Sequence, residues 1–90
     1  MPAKDKISKN RANIDKIDEK VLALINKRAE LSLKIRNLKK QTGDGLYDPK
    51  REEEVIANLC KKNNGPLYEE NVDELFKNIM KMMRELPDEK

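Results

Sequence analysis

Between Asp5 and Gln41 the chain has no glycine and no proline, and its apolar residues recur at steps of three and four. Ile7, Ile14, Ile17, Val21, Leu24, Leu31, Ile35 and Leu38 form the series, with Asn10 and Arg28 filling its two gaps. That is a heptad seam along one face of a single long helix. With Asp5 or Ser8 as N-cap and Gly43 placed to end it, the helix is expected over about 5–41. At about 1.5 Å per residue it is about 50 Å long. A folded chain of 90 residues has a radius of gyration of only about 12 Å. One chain lacks the apolar surface to cover such a helix, and a second copy is the simplest cover. A homodimer is expected.

Two shorter helices follow. Asp48 is a ready N-cap, Pro49 suits the first helical position, and Glu52, Glu53 and Glu54 suit the positive helix end. Lys61 and Lys62 close this second helix, expected over about 49–62, before the turn residues Asn63-Asn64-Gly65-Pro66. Its buried stripe is Val55, Ile56, Leu59 and Cys60. A third helix is expected over about 68–86, with Val72, Leu75, Phe76, Ile79, Met80, Met83 and Leu86 packing on the other two. No strand-like alternation occurs. The class is all-α, in one domain spanning 1–90.

Composition narrows the chemistry. Histidine is absent and Cys60 is the sole cysteine, which excludes familiar zinc sites, histidine-based dyads and an intramolecular disulfide. A lone thiol fits a reducing cytoplasm. No apolar run approaches the roughly 20 residues of a membrane span. Met1 leads straight into charged residues, so no signal peptide is expected. Residues 1–41 hold twelve Lys/Arg against five Asp/Glu, a net +7, and residues 42–90 hold eight against twelve, a net −4. The basic residues are interleaved with acids, and three aromatics make no stacking platform, so nucleic acid is not an expected partner.

Arg28 stands out, because it occupies a seam position where Leu or Ile belongs. A charge buried there costs several kcal/mol unless it is paired or faces a ligand. The plain alternative is a polar residue that fixes register. Lys39 lies eleven residues on, three turns plus about 20°, so the two cations share a face about 16 Å apart along the axis. Together they suit an anion held between them. Arg11 is about 25 Å and about 100° away from Arg28, and reaches such a site only in an antiparallel dimer, on the partner's Arg28. Asp48, Arg51 and Glu52 form a polar set at i, i+3 and i+4, which is also ordinary capping. Met80, Met82 and Met83 read as core filling, and Lys34, Arg36 and Lys40 as a solvated face.

The order and spacing of these residues carry a resemblance. Arg11-x-x-Ile14-x-x-Ile17-Asp18-x-x-Val21-Leu22-x-Leu24-Ile25-x-x-Arg28 resembles the first helix of the all-α chorismate mutases, the AroQ class. Lys39 and Asp48-Pro49-x-Arg51-Glu52 continue the pattern, and Leu75-Phe76-x-x-Ile79-Met80 resembles the start of the closing helix. The resemblance implies an intertwined homodimer with each site built from both chains. It implies the Claisen rearrangement of chorismate to prephenate, on the route to phenylalanine and tyrosine, without metal or cofactor. By the same resemblance Arg28 clamps one carboxylate and Arg11 of the other chain binds the second. Lys39 donates to the ether oxygen, Glu52 accepts the ring hydroxyl, Asp48 positions that end, and Arg51 lines the site. The Asn64-Gly65-Pro66 turn resembles versions fused to DAHP synthase, which makes such a synthase an implied partner.

One departure weakens the pattern. Aligned on Phe76-x-x-Ile79, Met83 and Pro87 stand at the substrate-facing positions where the family usually has Ser and Gln. That Gln gives a second hydrogen bond to the ether oxygen, and proline can donate none. Losing one such donor costs roughly 10²–10³ in rate. A slip of one residue puts Arg84 and Asp88 there instead, which is no better. A weakened ether-oxygen contact is expected. The alternatives are a weakly catalytic domain that binds chorismate or prephenate to regulate a fused or associated DAHP synthase, and a helical dimerisation module without a small ligand.

Overall fold

The computed structural model describes residues 2–45 and 47–87. These residues form three α-helices and no strand: α1 Pro2–Thr42, α2 Pro49–Lys62 and α3 Glu69–Glu85. The chain is all-α. α1 begins before the expected caps at Asp5 and Ser8, because Pro2 takes a first-turn position where its missing N–H removes no helical bond. Asp5 then lies inside the first turn, where its charge suits the helix end. α3 is shorter than the expected 68–86 by a residue at each end. Tyr68 and Leu86 have extended backbones and serve as its caps.

The chain divides into two units, Met1–Leu31 and Ser32–Lys90. In the first, Ile25, Arg28 and Ala29 are half-buried and every other described residue is exposed. The seam residues Ile7, Ile14, Ile17, Val21, Leu24 and Leu31 are all exposed, Leu24 to 65%. A face this apolar left open to water is what a partner helix ordinarily covers.

In the second unit α2 packs on α3. Val72, Ile79, Met80 and Met83 are buried, while Val55, Ile56, Leu59 and Cys60 of α2 are half-buried. Two expected core residues fall outside this core. Leu75 and Met82 are exposed, because steps of 100° per residue carry them to the edge of the α3 stripe and beyond it. The α2–α3 turn is held by Asn63, whose side-chain amide donates to the Leu67 carbonyl at 2.7 Å and accepts the Gly65 N–H at 3.2 Å. Asn71 accepts the Tyr68 N–H at 2.9 Å and so starts α3.

Arg36 corrects the sequence reading. Expected on a solvated face, it is the one charged residue buried among those described, at 8% exposure. Its Nη2 donates to the carbonyls of Met83 (2.7 Å) and Arg84 (3.1 Å), and its Nη1 donates to that of Leu86 (2.6 Å). The last carbonyls of a helix have no helical donors. For Met83 the reason is specific: its i+4 partner is Pro87, which has no N–H. A cation at this negative helix end is also favoured by the dipole. Arg36→Ala is therefore expected to lower the unfolding free energy by about 3 kcal/mol, with Arg36→Lys recovering only part, since an ammonium lacks the planar fork. Urea denaturation at fixed protein concentration measures this, and an unchanged midpoint in Arg36→Ala would show the cap to be idle.

Candidate functional site

Helix ends build the site. α1 stops at Thr42 because Gly43 adopts φ +79°, a left-handed conformation that costs glycine nothing. The Gly43 N–H then bonds the Lys39 carbonyl at 2.8 Å, and the Thr42 hydroxyl donates to the same carbonyl at 3.1 Å. This closing turn fixes the backbone at Lys39, whose side chain is half-buried. α2 starts at Asp48, whose Oδ1 accepts the Arg51 N–H at 3.1 Å and whose carbonyl accepts the Glu52 N–H at 3.1 Å. Between the two helix ends lies an open cavity of about 380 Å³, lined by Lys39, Asp44, Gly45, Tyr47, Asp48 and Pro49.

Beside it stands a second cluster. Arg84 of α3 donates from Nη1 to Oε2 of Glu52 on α2. The two side chains are only 32% and 21% exposed, so water screens this pair less than a fully exposed one. The Arg84 guanidinium also lies over the Tyr47 ring, 4.6 Å from its centroid. Away from the cavity, Asp73 holds the Lys77 ammonium at 2.9 Å, and this hydrogen bond, then the carboxylate charge, raise the Lys77 pKa above its ordinary value.

Of the residues singled out in the sequence, Lys39 and Asp48 line one cavity, and Glu52 is linked to its wall through Arg84 and Tyr47. Arg51 is exposed, with its N–H on Asp48. Met83 is buried in the core of the second unit, and Pro87 is exposed after the Leu86 cap. Asp88 lies outside the described residues. Arg11, exposed, and Arg28, half-buried, belong to the first unit. An ammonium and carboxylates around one opening suit a ligand that carries both an anionic group and a hydroxyl.

Sequence reasoning missed Arg36 and Tyr47, and named Arg84 only as the residue that a one-residue slip brings to the site. A signal existed for Arg36: Ile25, Ala29, Ser32, Leu33 and Arg36 follow one another at helical steps, and small residues disguise this face. Arg84 offered no local signal, because its partners lie 32 and 37 positions away. Among the described residues no group of three or more His, Cys, Asp or Glu could hold a metal ion, and no helix is long and apolar enough to cross a membrane.

Comparison with known proteins places the chain. Residues 10–87 match the family described as chorismate mutase type II. The bifunctional chorismate mutase/prephenate dehydratase of Pseudomonas aeruginosa is 39% identical over 85 residues, 89% of this chain and 23% of that protein. The chain thus spans about a quarter of the length of that relative. The chorismate mutase of Methanocaldococcus jannaschii is 38% identical over 63 residues, covering 67% of this chain and 64% of that one. Among solved structures, form II of the chorismate mutase from Thermus thermophilus superposes with a TM-score of 0.88 at 37% identity, over 90% of this chain and 92% of that one. Form I of the same protein gives 0.84 at 37% identity, over 87% and 98%. A match that runs from the first helix through the end of the third, with solved neighbours of nearly the same extent, shows that this chain belongs to the chorismate mutase type II family.

Proposed function

We propose that this chain converts chorismate to prephenate in the cytoplasm, as a homodimer whose two sites each draw on both copies. Family membership supports the activity, and the observation that carries the site is Lys39 and Asp48 lining one cavity beside Glu52. The reaction is unimolecular: the ether C–O bond breaks as a new C–C bond forms, with no proton gained or lost. The protein has to hold the compact conformer and set cations where charge develops.

Lys39 donates to the ether oxygen, which becomes more negative along the reaction, so this contact strengthens in the transition state. Arg28 clamps one carboxylate and Arg11 of the other copy the second, tasks that suit a planar guanidinium. Glu52 accepts the ring hydroxyl, Asp48 orients that end while capping α2, and Arg51 lines the carboxylate side. Met83, expected to face substrate, is instead part of the core, and neither it nor Pro87 lines the cavity or can donate a hydrogen bond to the ether oxygen. Lys39→Ala is expected to lower kcat by at least about 100-fold, and Arg28→Ala to lower kcat/KM by a similar factor, with helicity retained. Loss of chorismate absorbance with prephenate formed is the measurement, and full activity without Lys39 would sink the mechanism.

The exposed seam supports the dimer. The double substitution Ile17→Glu with Leu24→Glu buries two carboxylates in that interface. It is expected to give monomers by sedimentation and to abolish turnover, since Arg11 then has no partner site; an active monomer would refute shared sites.

Pro87 favours a second reading, a weakly catalytic domain that binds chorismate or prephenate to regulate a fused or associated DAHP synthase. The bifunctional relatives carry a prephenate dehydratase, so an attached partner enzyme is a feature of such chains. Pro87→Gln separates the two readings. If the missing donor limits the rate, kcat rises about tenfold or more; an unchanged kcat shows that the wild-type site needs no second donor.

A further inference from the structure

Glu52 has a partner that the sequence pattern did not suggest. Arg84 donates to its Oε2 from a neighbouring helix, and the same guanidinium stacks on Tyr47, a wall residue of the cavity. One side chain therefore ties together α2, α3 and the loop between α1 and α2. From this juxtaposition we infer that Arg84 is a positioning residue: it aims the Glu52 carboxylate at the ring hydroxyl of the substrate and holds the Tyr47 wall in place. The inference rests on the activity proposed above.

The chemistry supports a positioning role. A carboxylate has two oxygens, and Arg84 engages Oε2, which leaves Oε1 to accept a hydroxyl. The planar guanidinium donates in a fixed direction, so it restricts the rotamer of Glu52. A carboxylate without such a partner samples several rotamers and gives up that freedom each time substrate binds. Arg84 is itself fixed at both ends: Arg36 holds its carbonyl at 3.1 Å, and the Tyr47 ring supports its guanidinium. The ring hydroxyl gains no charge in the reaction, so the Glu52 contact helps substrate and transition state alike. Loss of its alignment then appears in KM and spares kcat.

Steady-state kinetics on wild type, Arg84→Ala, Arg84→Lys, Glu52→Gln and the double variant Glu52→Gln/Arg84→Ala test this. Arg84→Ala is expected to raise KM about tenfold with kcat within about twofold, and Arg84→Lys to restore most of the loss. In the Glu52→Gln background Arg84→Ala is expected to add less than about twofold, because its effect passes through Glu52. A fall in kcat at unchanged KM would mark a purely structural pair. A lower KM would mark a residue that competes with substrate, and full multiplicativity would mark independence from Glu52. Each of these overturns the inference. Arg84→Met, which keeps the aliphatic stem, stands in if Arg84→Ala loses its helical circular dichroism. If wild type binds prephenate without turnover, the same cycle is read in prephenate dissociation constants. A wild type that neither turns chorismate over nor binds prephenate refutes the proposed function and this inference with it, whereas an active wild type with multiplicative variants refutes this inference alone.

Discussion

The grip of Arg36 on the end of α3 is the contact on which the candidate site depends. A guanidinium buried at a helix C-terminus satisfies carbonyls that the helix itself leaves open, and it brings a charge where the dipole favours one. Its consequences reach further than one cap. Arg36 precedes Lys39 by three residues on the same helix, so fixing one sets the direction of the other. It also holds the backbone at Arg84, whose side chain meets Glu52 and Tyr47. Lys39 and the Glu52 cluster thus inherit their placement from a single buried cation.

The candidate site, the cavity and the Glu52 cluster beside it, is assembled from helix termini. The C-terminal turn of α1 carries Lys39, the N-terminal turn of α2 carries Asp48 and Glu52, and the last turn of α3 carries Arg84. Termini are where backbone groups need outside partners, so the side chains that satisfy them are rigid. Asp48 illustrates the economy: the carboxylate that caps α2 also lines the cavity. A reaction whose catalysis is orientation and electrostatics benefits from groups that need no reorganisation.

Much of this was legible in the sequence. The uninterrupted run to Gln41, the Asp48-Pro49 start and the turn at Asn64-Gly65-Pro66 announce three helices through local chemistry, and the structure has three. Lys39 was singled out by its spacing from Arg28 and Asp48 by its N-cap position, and the structure sets both on one cavity between two helix ends. The misreadings share a cause. Arg36 looked solvent-facing because its partners are backbone carbonyls, which no residue pattern advertises, some 50 positions away. Leu75 and Met82 looked buried because a stripe read by eye is wider than the face α2 covers. The Arg84–Glu52 pair is a product of tertiary packing, and an isolated arginine on a charged helix reveals nothing about it.

Pro87 joins the fold to the chemistry. A glutamine there supplies two donors, its side-chain amide and a backbone N–H, and the N–H is the natural helical partner of the Met83 carbonyl. In this chain that carbonyl belongs to Arg36. Proline removes the competing donor, and α3 ends at Glu85 with Leu86 as its cap, so the arginine cap and the missing amide follow from one residue. In the proposed mechanism Lys39 is then the donor left to the developing charge on the ether oxygen. A single ammonium can serve there only if its direction is fixed and water is kept from it, because an exposed cation is screened. The closing turn at Gly43 fixes the backbone at Lys39, and its half-buried side chain faces the cavity with Tyr47 as one wall. On that mechanism the second donor is missing at residue 87, and the ordered helix ends set the direction of the first.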